Sequence, residues 1–542
     1  MMEQLPKLSE IHKELQYYTR YFSENKLYQS SKWTGELLLG LTQEEDLQSS
    51  QFAMQFIQNN TDYTYQFLRE FVPENNDIIS VARNLFDLRE FKKCASLVQN
   101  LIHKNESAMF LYYYSQYMYG ELRKEEEMFE NENSKTATNP ELKLLDRELS
   151  KLYDQKQLSQ LNLYLYGLIL KDTLRLREAK EIFVQVLNQL PCFWSAWLEL
   201  CRLMVEEDSI NELPNHWMKF FWISNFNLEK FKNANCVESL QLLLYYFRNS
   251  NFIINQIANA YYNNQEFELS LEWFERLLSI DPYRYESLDT YSNILYIKEN
   301  QGELANLALQ SFTNNKYVPE TCCVVGNYYS LMNEHAKAIN YFQRALKLDK
   351  DCLAAWTLMG HEYLEMKNVA SAIQSYRNAV EIDPKDFRAW YGLGQTYALQ
   401  GMNQYALYYF SRAVVSRPKD ARMWNAMAEC YDKMDKKNES MKCYERANSC
   451  KDKEGIAIHQ LAKLYDAVGK EEKALFAFEE SLKRKDEEQA VDKEVSEALL
   501  YLARAFLKKG DKERAMQMAK RLFDFNGPER DEANLIMNQL NK

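Results

Sequence analysis

The sequence has 542 residues, a formal net charge of −12, 37 tyrosines and 28 phenylalanines, but only 14 glycines and 10 prolines. That length exceeds one ordinary hydrophobic core, and the composition favours long helices over a turn-rich β-sandwich or a disordered chain. The acidic balance excludes broad electrostatic attraction to nucleic acid or an anionic membrane, and no run of about 18 apolar residues offers a bilayer span.

The beginning, MMEQLPKLSE, lacks the basic-then-apolar pattern of a secretory signal, so an intracellular protein is expected. The ten cysteines (94, 192, 201, 236, 322, 323, 352, 430, 443 and 450) form no CxxC and have no histidine pair at zinc-ligand spacing. In a reducing compartment they read as small buried apolar residues, and no metal or other cofactor is expected.

In chain order, residues 8–45 carry an amphipathic pattern predicting a helix pair, and Ala82, Leu85, Cys94 and Leu101 mark another pair opening near 75. The aromatic run MFLYYYSQYMYG (109–120) begins the next helix. Residues 124–143, KEEEMFENENSKTATNPELK, are acidic and polar without apolar period, which predicts an inserted loop with Ser134, Thr136 and Thr138 as candidate phosphorylation positions. A unit opening at 160 places Gly167, Leu170, Ala179, Phe183 and Pro191 at spacings that recur later. WSAWLELCRL (194–203) opens another unit, interrupted by VEEDSINELPNHWMKFFWISNF, before a helix at 228–248.

From 251 onward the phase is regular. Units opening at 251, 285, 319, 353, 387, 421 and 455 repeat every 34 residues without insertion. Their eighth positions are Ala258, Ser292, Gly326, Gly360, Gly394, Ala428 and Ala462, all small, and their eleventh include Tyr363 and Tyr397. Their twentieth positions include Ala372 and Ala406, with Leu304 the exception, and Pro384 and Pro418 follow second helices. This is the tetratricopeptide (TPR) pattern, two antiparallel helices per repeat with small residues where they cross. The expected fold is an all-α TPR α-solenoid, a right-handed superhelix of antiparallel helix pairs. Leu502, Ala503, Phe506 and Ala515 predict a closing repeat after the charged connection KRKDEEQAVDKE.

Three glycines near 392 invite a phosphate-loop reading, but no strand precedes them and GLGQTY lacks the third glycine. Gly394 is predicted to face a crossing helix, and Gly401 a turn. HEYLE at 361–365 is half of a zinc-protease signature and lacks its second histidine. With six scattered histidines and no GxSxG, Walker or kinase signature, the sequence predicts no enzyme.

Function is therefore expected on surfaces, chiefly the face lined by first helices. Its ninth positions read Asn259, Asn293, Asn327, His361, Gln395, Glu429 and Lys463, with Glu320, Thr357, Glu365, Arg388, Tyr391, Arg422, Asn425 and Lys433 alongside. Amides suit an extended peptide backbone, and the sign change from Glu320 and Glu365 to Arg388, Arg422 and Lys433 would give a bound segment direction. A solvated polar helix face is the competing reading.

The residues between the anchors say more. ETCCVVGNYYSLMNEHAKAINYFQRALKLD, AWTLMGHEYLEMKN and RAWYGLGQTY, with LYLYGLIL, AWLELCRL, WMKFF and DPYRYESLDTYSNILY upstream, resemble the anaphase-promoting complex subunit 8/cell division cycle protein 23 family. The resemblance runs from about residue 75 to the end and is strongest over 281–400. It implies a non-catalytic scaffold of a cullin-RING-type ubiquitin ligase that drives mitotic exit, in the nucleus and cytoplasm. Partners implied are the other subunits of the complex, a second copy bound through N-terminal repeats, and a coactivator whose basic-hydrophobic box enters the groove from 319 onward. Carried to this chain, the groove residues are Asn327, His361, Glu365, Arg388, Tyr391, Gln395, Arg422, Asn425 and Glu429, with Glu365 and Glu429 pairing with the box arginine. The rival is a TPR co-chaperone clamping peptide C-termini, for which Asn327 and Arg388 match but Cys323, Leu358 and Gly392 do not.

The expected division is 1–122, helix pairs that dimerise; 123–143, the acidic loop; 144–250, interrupted middle repeats; 251–488, seven in-phase repeats bearing the groove; and 489–542, a charged connection and capping helices. The aromatic run at 109–120 is expected to leave apolar surface for self-association.

Overall fold

A computed structural model of the chain describes residues 8–41, 77–130, 137–204, 213–230, 232–450, 452, 455–487, 493–525 and 528–540. Among them all regular structure is helical, arranged as successive antiparallel pairs. The chain divides into two compact units, 1–284 and 285–542.

The first unit has one large core. Trp33 from the helix Tyr28–Leu39 stacks on Trp194 at 4.3 Å and meets Phe221 and Phe252 edge-on. Because Phe252, Ile253 and Ile257 join this core, the repeat opening at 251 belongs to the first unit. The boundary accordingly falls one repeat later than the sequence division at 250/251.

Two expectations need correction here. The helix Glu106–Glu130 runs seven residues into the stretch expected as a loop from 124, since Lys, Glu and Met are good helix formers even without an apolar stripe. Past 136 the chain is pinned back: Asn139 is buried, its Nδ2 donates to the Tyr117 carbonyl and to Glu121, and its Oδ1 accepts from the Glu141 amide. Ser134 and Thr136 lie outside the described residues. Secondly, Met109, Phe110, Leu111 and Tyr113 are buried, and Tyr112, Tyr114 and Tyr117 pack against the same cores. Much of the aromatic run is spent inside the unit, where the helices Phe91–Val98, Asp77–Asp87 and Gln160–Asp172 pack against it.

The second unit repeats one construction. A first helix of 13 residues, such as Pro319–Leu331, packs against a second of 14, His335–Leu348, and the next pair follows at Leu353–Glu365 and Val369–Ile382. Phe387–Leu399 and Asn403–Ser416 continue it. The small eighth positions are where the ring at position 24 lands. A Cβ on Gly360 would stand 2.5 Å from the Tyr376 ring, and one on Gly394 would stand 2.5 Å from Phe410. The glycine cluster near 392 is thereby explained without phosphate. A Cβ on Gly392 would likewise stand 2.5 Å from the Tyr376 ring, so one ring from the preceding repeat fills the space left by two glycines. Where position 20 is serine, its hydroxyl donates to the carbonyl at position 8, as Ser440 does to Ala428 at 2.9 Å.

Each first helix ends in a residue at left-handed φ. Asn333, Lys367, Gly401, Asp435 and Gly469 lie 34 apart with φ between 58° and 78°. The next amide closes the turn by donating back to the position-11 carbonyl, Asn368 to Tyr363 at 2.8 Å and Met402 to Tyr397 at 2.9 Å. The tryptophan at position 4 then fastens the preceding connection: Trp356, Trp390 and Trp424 donate indole N–H to the carbonyls of Lys350, Pro384 and Pro418 at 2.9–3.0 Å.

Candidate functional site

The first-helix face of the second unit gathers charge from several repeats. Arg388, at the start of Phe387–Leu399, acts on both Asp289 and His361, which sit on the helices Leu288–Ile297 and Leu353–Glu365. His361 keeps solvent contact, yet crowding by the surrounding walls, followed by the Arg388 guanidinium, pushes its imidazole down to about 4. Its Nδ1 pairs with the Tyr376 hydroxyl at 2.8 Å. Nearby, burial raises the Glu320 carboxyl, and the charges of Asp289, Asp349 and Glu286 raise it further. Burial likewise lifts Asp289, against the opposing pull of Arg388 and of two backbone amides. The result is an acidic cluster at 286–320, whereas Arg388 and Arg422 farther along each pair with an aspartate, Asp386 and Asp420.

Individual candidates fare differently. Asn327 is not open to a ligand: it is 3% exposed, and its Nδ2 donates to Ser292 Oγ at 2.8 Å and to Asn293 Oδ1 at 2.7 Å. The tight approach of consecutive first helices at this glycine-rich level draws the amide into a structural ladder. Glu429 faces Lys433 at 2.8 Å across one helical turn, so its charge is already half-answered, although both ends are exposed and the pair is weak. Glu365 is exposed, and Gln395 and Tyr391 are partly buried, Tyr391 with its ring 5.4 Å from Phe410. Arg388 and Arg422 are steered by aspartates capping their own helices: Asp386 Oδ1 accepts from Arg388 Nε at 3.1 Å, and Asp420 Oδ2 from Arg422 at 2.8 Å. Asn425 lies 3.5 Å from Asp452. Two buried acceptors, Asn425 Oδ1 and Asp386 Oδ2, have no hydrogen-bond partner in the protein.

Sequence reasoning missed Asp289, Asp386 and Glu362. Asp289 occupies the fifth repeat position, the one that gave Tyr391 and Asn425, and that register was the available signal. Glu362 is buried, accepting from Ser330 Oγ at 2.6 Å and pairing with His335 Nδ1 at 2.8 Å. His361 and Glu362 thus serve different partners, and the zinc-protease half-signature dissolves into packing.

In the first unit Glu14, Cys192 and His216 bring potential metal-ligating atoms within 4.8 Å of one another. Their hydrogen bonds argue against a metal. His216 Nδ1 accepts the Met218 amide at 3.3 Å, which leaves the ring proton on Nε2, pointing at Glu14 Oε1 at 2.9 Å. Trp217 Nε1 donates to the other oxygen at 2.9 Å. Burial pushes the Glu14 carboxyl up, but the hydrogen bond from His216, with help from Trp217 and Cys192, outweighs it and holds the group below its ordinary value. The cluster is a clamp tying the helix Leu8–Glu24 to residues 192–218.

Repeated helix pairs closed by left-handed turns define a TPR-repeat protein. The structure is similar to the crystal structure of the APC/C hetero-tetramer Cut9-Hcn1, with TM-score 0.50, 15% identity, and 86% of this chain and 96% of that chain covered, which shows the shared fold. Residues 253–284 match the tetratricopeptide repeat model, and 284–534 that of the cilia and flagella-associated protein 70 C-terminal domain. Residues 10–258 match the model for anaphase promoting complex subunit 8 / Cdc23, and the chain is similar to members of that family. It is 40% identical over 366 residues to anaphase-promoting complex subunit 8 of Arabidopsis thaliana, covering 63% of each chain. With the human cell division cycle protein 23 homolog it shares 37% identity over 307 residues, 56% of this chain and 49% of the relative. With anaphase-promoting complex subunit CDC23 of Saccharomyces cerevisiae it shares 30% over 413 residues, 62% and 66%. The matched region thus spans between half and two thirds of the length of these relatives.

Proposed function

We propose that the chain is a non-catalytic scaffold subunit of the anaphase-promoting complex. In this reading it assembles neighbouring subunits in a ubiquitin ligase controlling mitotic exit, works in nucleus and cytoplasm, and docks the basic-hydrophobic box of a coactivator on its first-helix face. The observation that carries the docking reading is the crowded acidic end. Asp289 and Glu320 hold raised carboxyls among Glu286 and Asp349, a cluster that gains most from an incoming arginine or lysine. Asp289 and Glu320 therefore replace Glu429 as the main acidic contacts, with Glu365 kept as an exposed neighbour.

Coactivator capture by the assembled complex tests this. Asp289→Asn with Glu320→Gln should weaken capture by roughly tenfold, the effect of losing about 1.4 kcal/mol, without loss of other subunits. Capture that is equally tight in the double variant would overturn the docking assignment. The co-chaperone alternative is disfavoured because Asn327 is committed internally, Cys323 is fully buried and Gly392 lies beneath Tyr376. Self-association rests chiefly on family resemblance, since Met109, Phe110, Leu111 and Tyr113 of the aromatic run offered for it are buried.

A further inference from the structure

The second helix of the pair opening at 387, Asn403–Ser416, is apolar on two sides. Ala406, Phe410, Ala413 and Val414 are buried and serve the core between repeats. The opposite side presents Tyr405, Tyr408, Arg412 and Val415 to solvent, with Tyr405 61%, Tyr408 51% and Val415 78% exposed. Their spacing of three, four and three residues is that of one helix–helix seam.

Neighbouring repeats show what an ordinary outer face looks like. One repeat earlier the same positions hold Ser371, Gln374, Asn378 and Glu381, and one repeat later Glu439, Lys442, Arg446 and Ser449. Those faces are polar, as solvated helices are. Helix propensity does not favour the exchange, since tyrosine and valine form helix less readily than glutamine, glutamate or lysine. The exposed rings are also ordered. Tyr405 stands 5.8 Å from Tyr397, Tyr397 stacks on Tyr409 at 5.2 Å, and Tyr408 meets Tyr409 edge-on at 5.2 Å. A surface held in this way loses little side-chain freedom when it is covered.

Two guanidinium groups border the rings. Arg412 lies 5.5 Å from the centre of the Tyr408 ring and 3.5 Å from its hydroxyl. Arg377, on the second helix one repeat earlier, Val369–Ile382, donates to the Tyr397 hydroxyl at 3.3 Å. Both arginines are exposed, and among the described residues they meet tyrosine hydroxyls rather than carboxylates.

We propose that the outer face of Asn403–Ser416 docks an α-helix of another protein, one whose apolar ridge is interrupted and flanked by aspartate or glutamate. The seam spacing selects a helix, because side chains of the same period meet Tyr405, Tyr408 and Val415 in turn. The arginines select its charge: a carboxylate opposite Arg412 and a second beside Arg377 supply the ion pairs that the protein itself leaves unmade. The face lies on a second helix, so it stands or falls independently of the docking assigned to the first-helix face.

The test uses the full-length chain and a fluorescent, lactam-stapled helical peptide of three heptads, with leucine along its ridge and glutamate at the central ridge position and both flanks. Binding is read by anisotropy at physiological ionic strength. Tyr405→Ser with Tyr408→Gln installs the residues found at 371 and 374, and should weaken binding by about tenfold. Arg412→Gln should weaken the glutamate peptide several-fold but leave unchanged the binding of a peptide with glutamine at the central position, the non-additivity of a direct contact. If the double variant has a lowered unfolding midpoint, Val415→Glu, which installs the residue found at 381, carries the same expectation. No binding at about 100 μM peptide, or binding indifferent to these substitutions, would overturn the proposal. So would a halved mass of the folded double variant in analytical ultracentrifugation, which would assign the face to a second copy of the chain.

Discussion

His361 shows how a repeat position acquires individual chemistry. Held by Tyr376, hemmed in by neighbouring helices and opposed by Arg388, it resists protonation down to about pH 4. An unfolded histidine takes up its proton near pH 6.5. The contribution to stability is therefore complete above that value and is lost as pH falls from about 6.5 toward the folded midpoint. Carbon-edited NMR of the imidazole should place that midpoint near 4, and Arg388→Ala should move it upward. A midpoint already in the ordinary range would refute the crowding argument. The glycines give a second prediction at this scale. At Gly392 a methyl group would meet the Tyr376 ring, while at Gly302 nothing lies within 4 Å. Overpacking costs about 1–3 kcal/mol and alanine returns about 1 kcal/mol of helix propensity. Gly392→Ala should therefore lose up to about 2 kcal/mol in urea denaturation, and Gly302→Ala should gain up to about 1.

At the scale of the helix pair, the turn matters as much as the crossing. Position 15 adopts left-handed φ whether it is Asn333, Lys367, Asp435 or a glycine. A side chain there is strained by roughly 1–2 kcal/mol, partly offset by glycine's greater backbone entropy. Lys367→Gly should thus raise the unfolding midpoint by the equivalent of up to about 1 kcal/mol, and Gly401→Ala should lower it. An unchanged midpoint in both would mean the turn carries no strain. In the first unit Glu14→Ala would leave His216 and Trp217 without their acceptor in a buried site. The cost should be about 3–5 kcal/mol, with faster amide exchange across residues 8–24. Helix pairs were readable because small residues recur at fixed spacing and nothing else accounts for them. The left-handed turns were not, because lysine and aspartate carry no signature of φ. The extension to Glu130 was missed because an exposed helix needs propensity, not an apolar stripe. Asn327 and Asn293 looked alike in sequence as surface amides, and only the approach of neighbouring helices shows that they bond each other. Asp289 was hidden for the opposite reason: it sits in the repeat with the weakest anchors, so its register drew no notice.

For the whole chain, the expectation at stake is self-association. Met109, Phe110, Leu111 and Tyr113 of the apolar run that argued for it are buried, and residues 42–76 lie outside the described structure. If family resemblance holds, light scattering on the intact 64.4 kDa chain should return twice that mass at micromolar concentration. A monomer would remove the second copy from the proposed partners. Sharing of Tyr376 between Gly360 and Gly392 has a mechanical corollary. A ring seated in two neighbouring modules cannot leave one without emptying the other, so the pairs beginning at 353 and 387 should melt as a single block. Under tension, or in mild denaturant, fracture should begin instead near 285–318, where Ser292 replaces glycine and Leu304 replaces alanine. That would loosen the acidic cluster while leaving the segment around Arg388 and Arg422 standing.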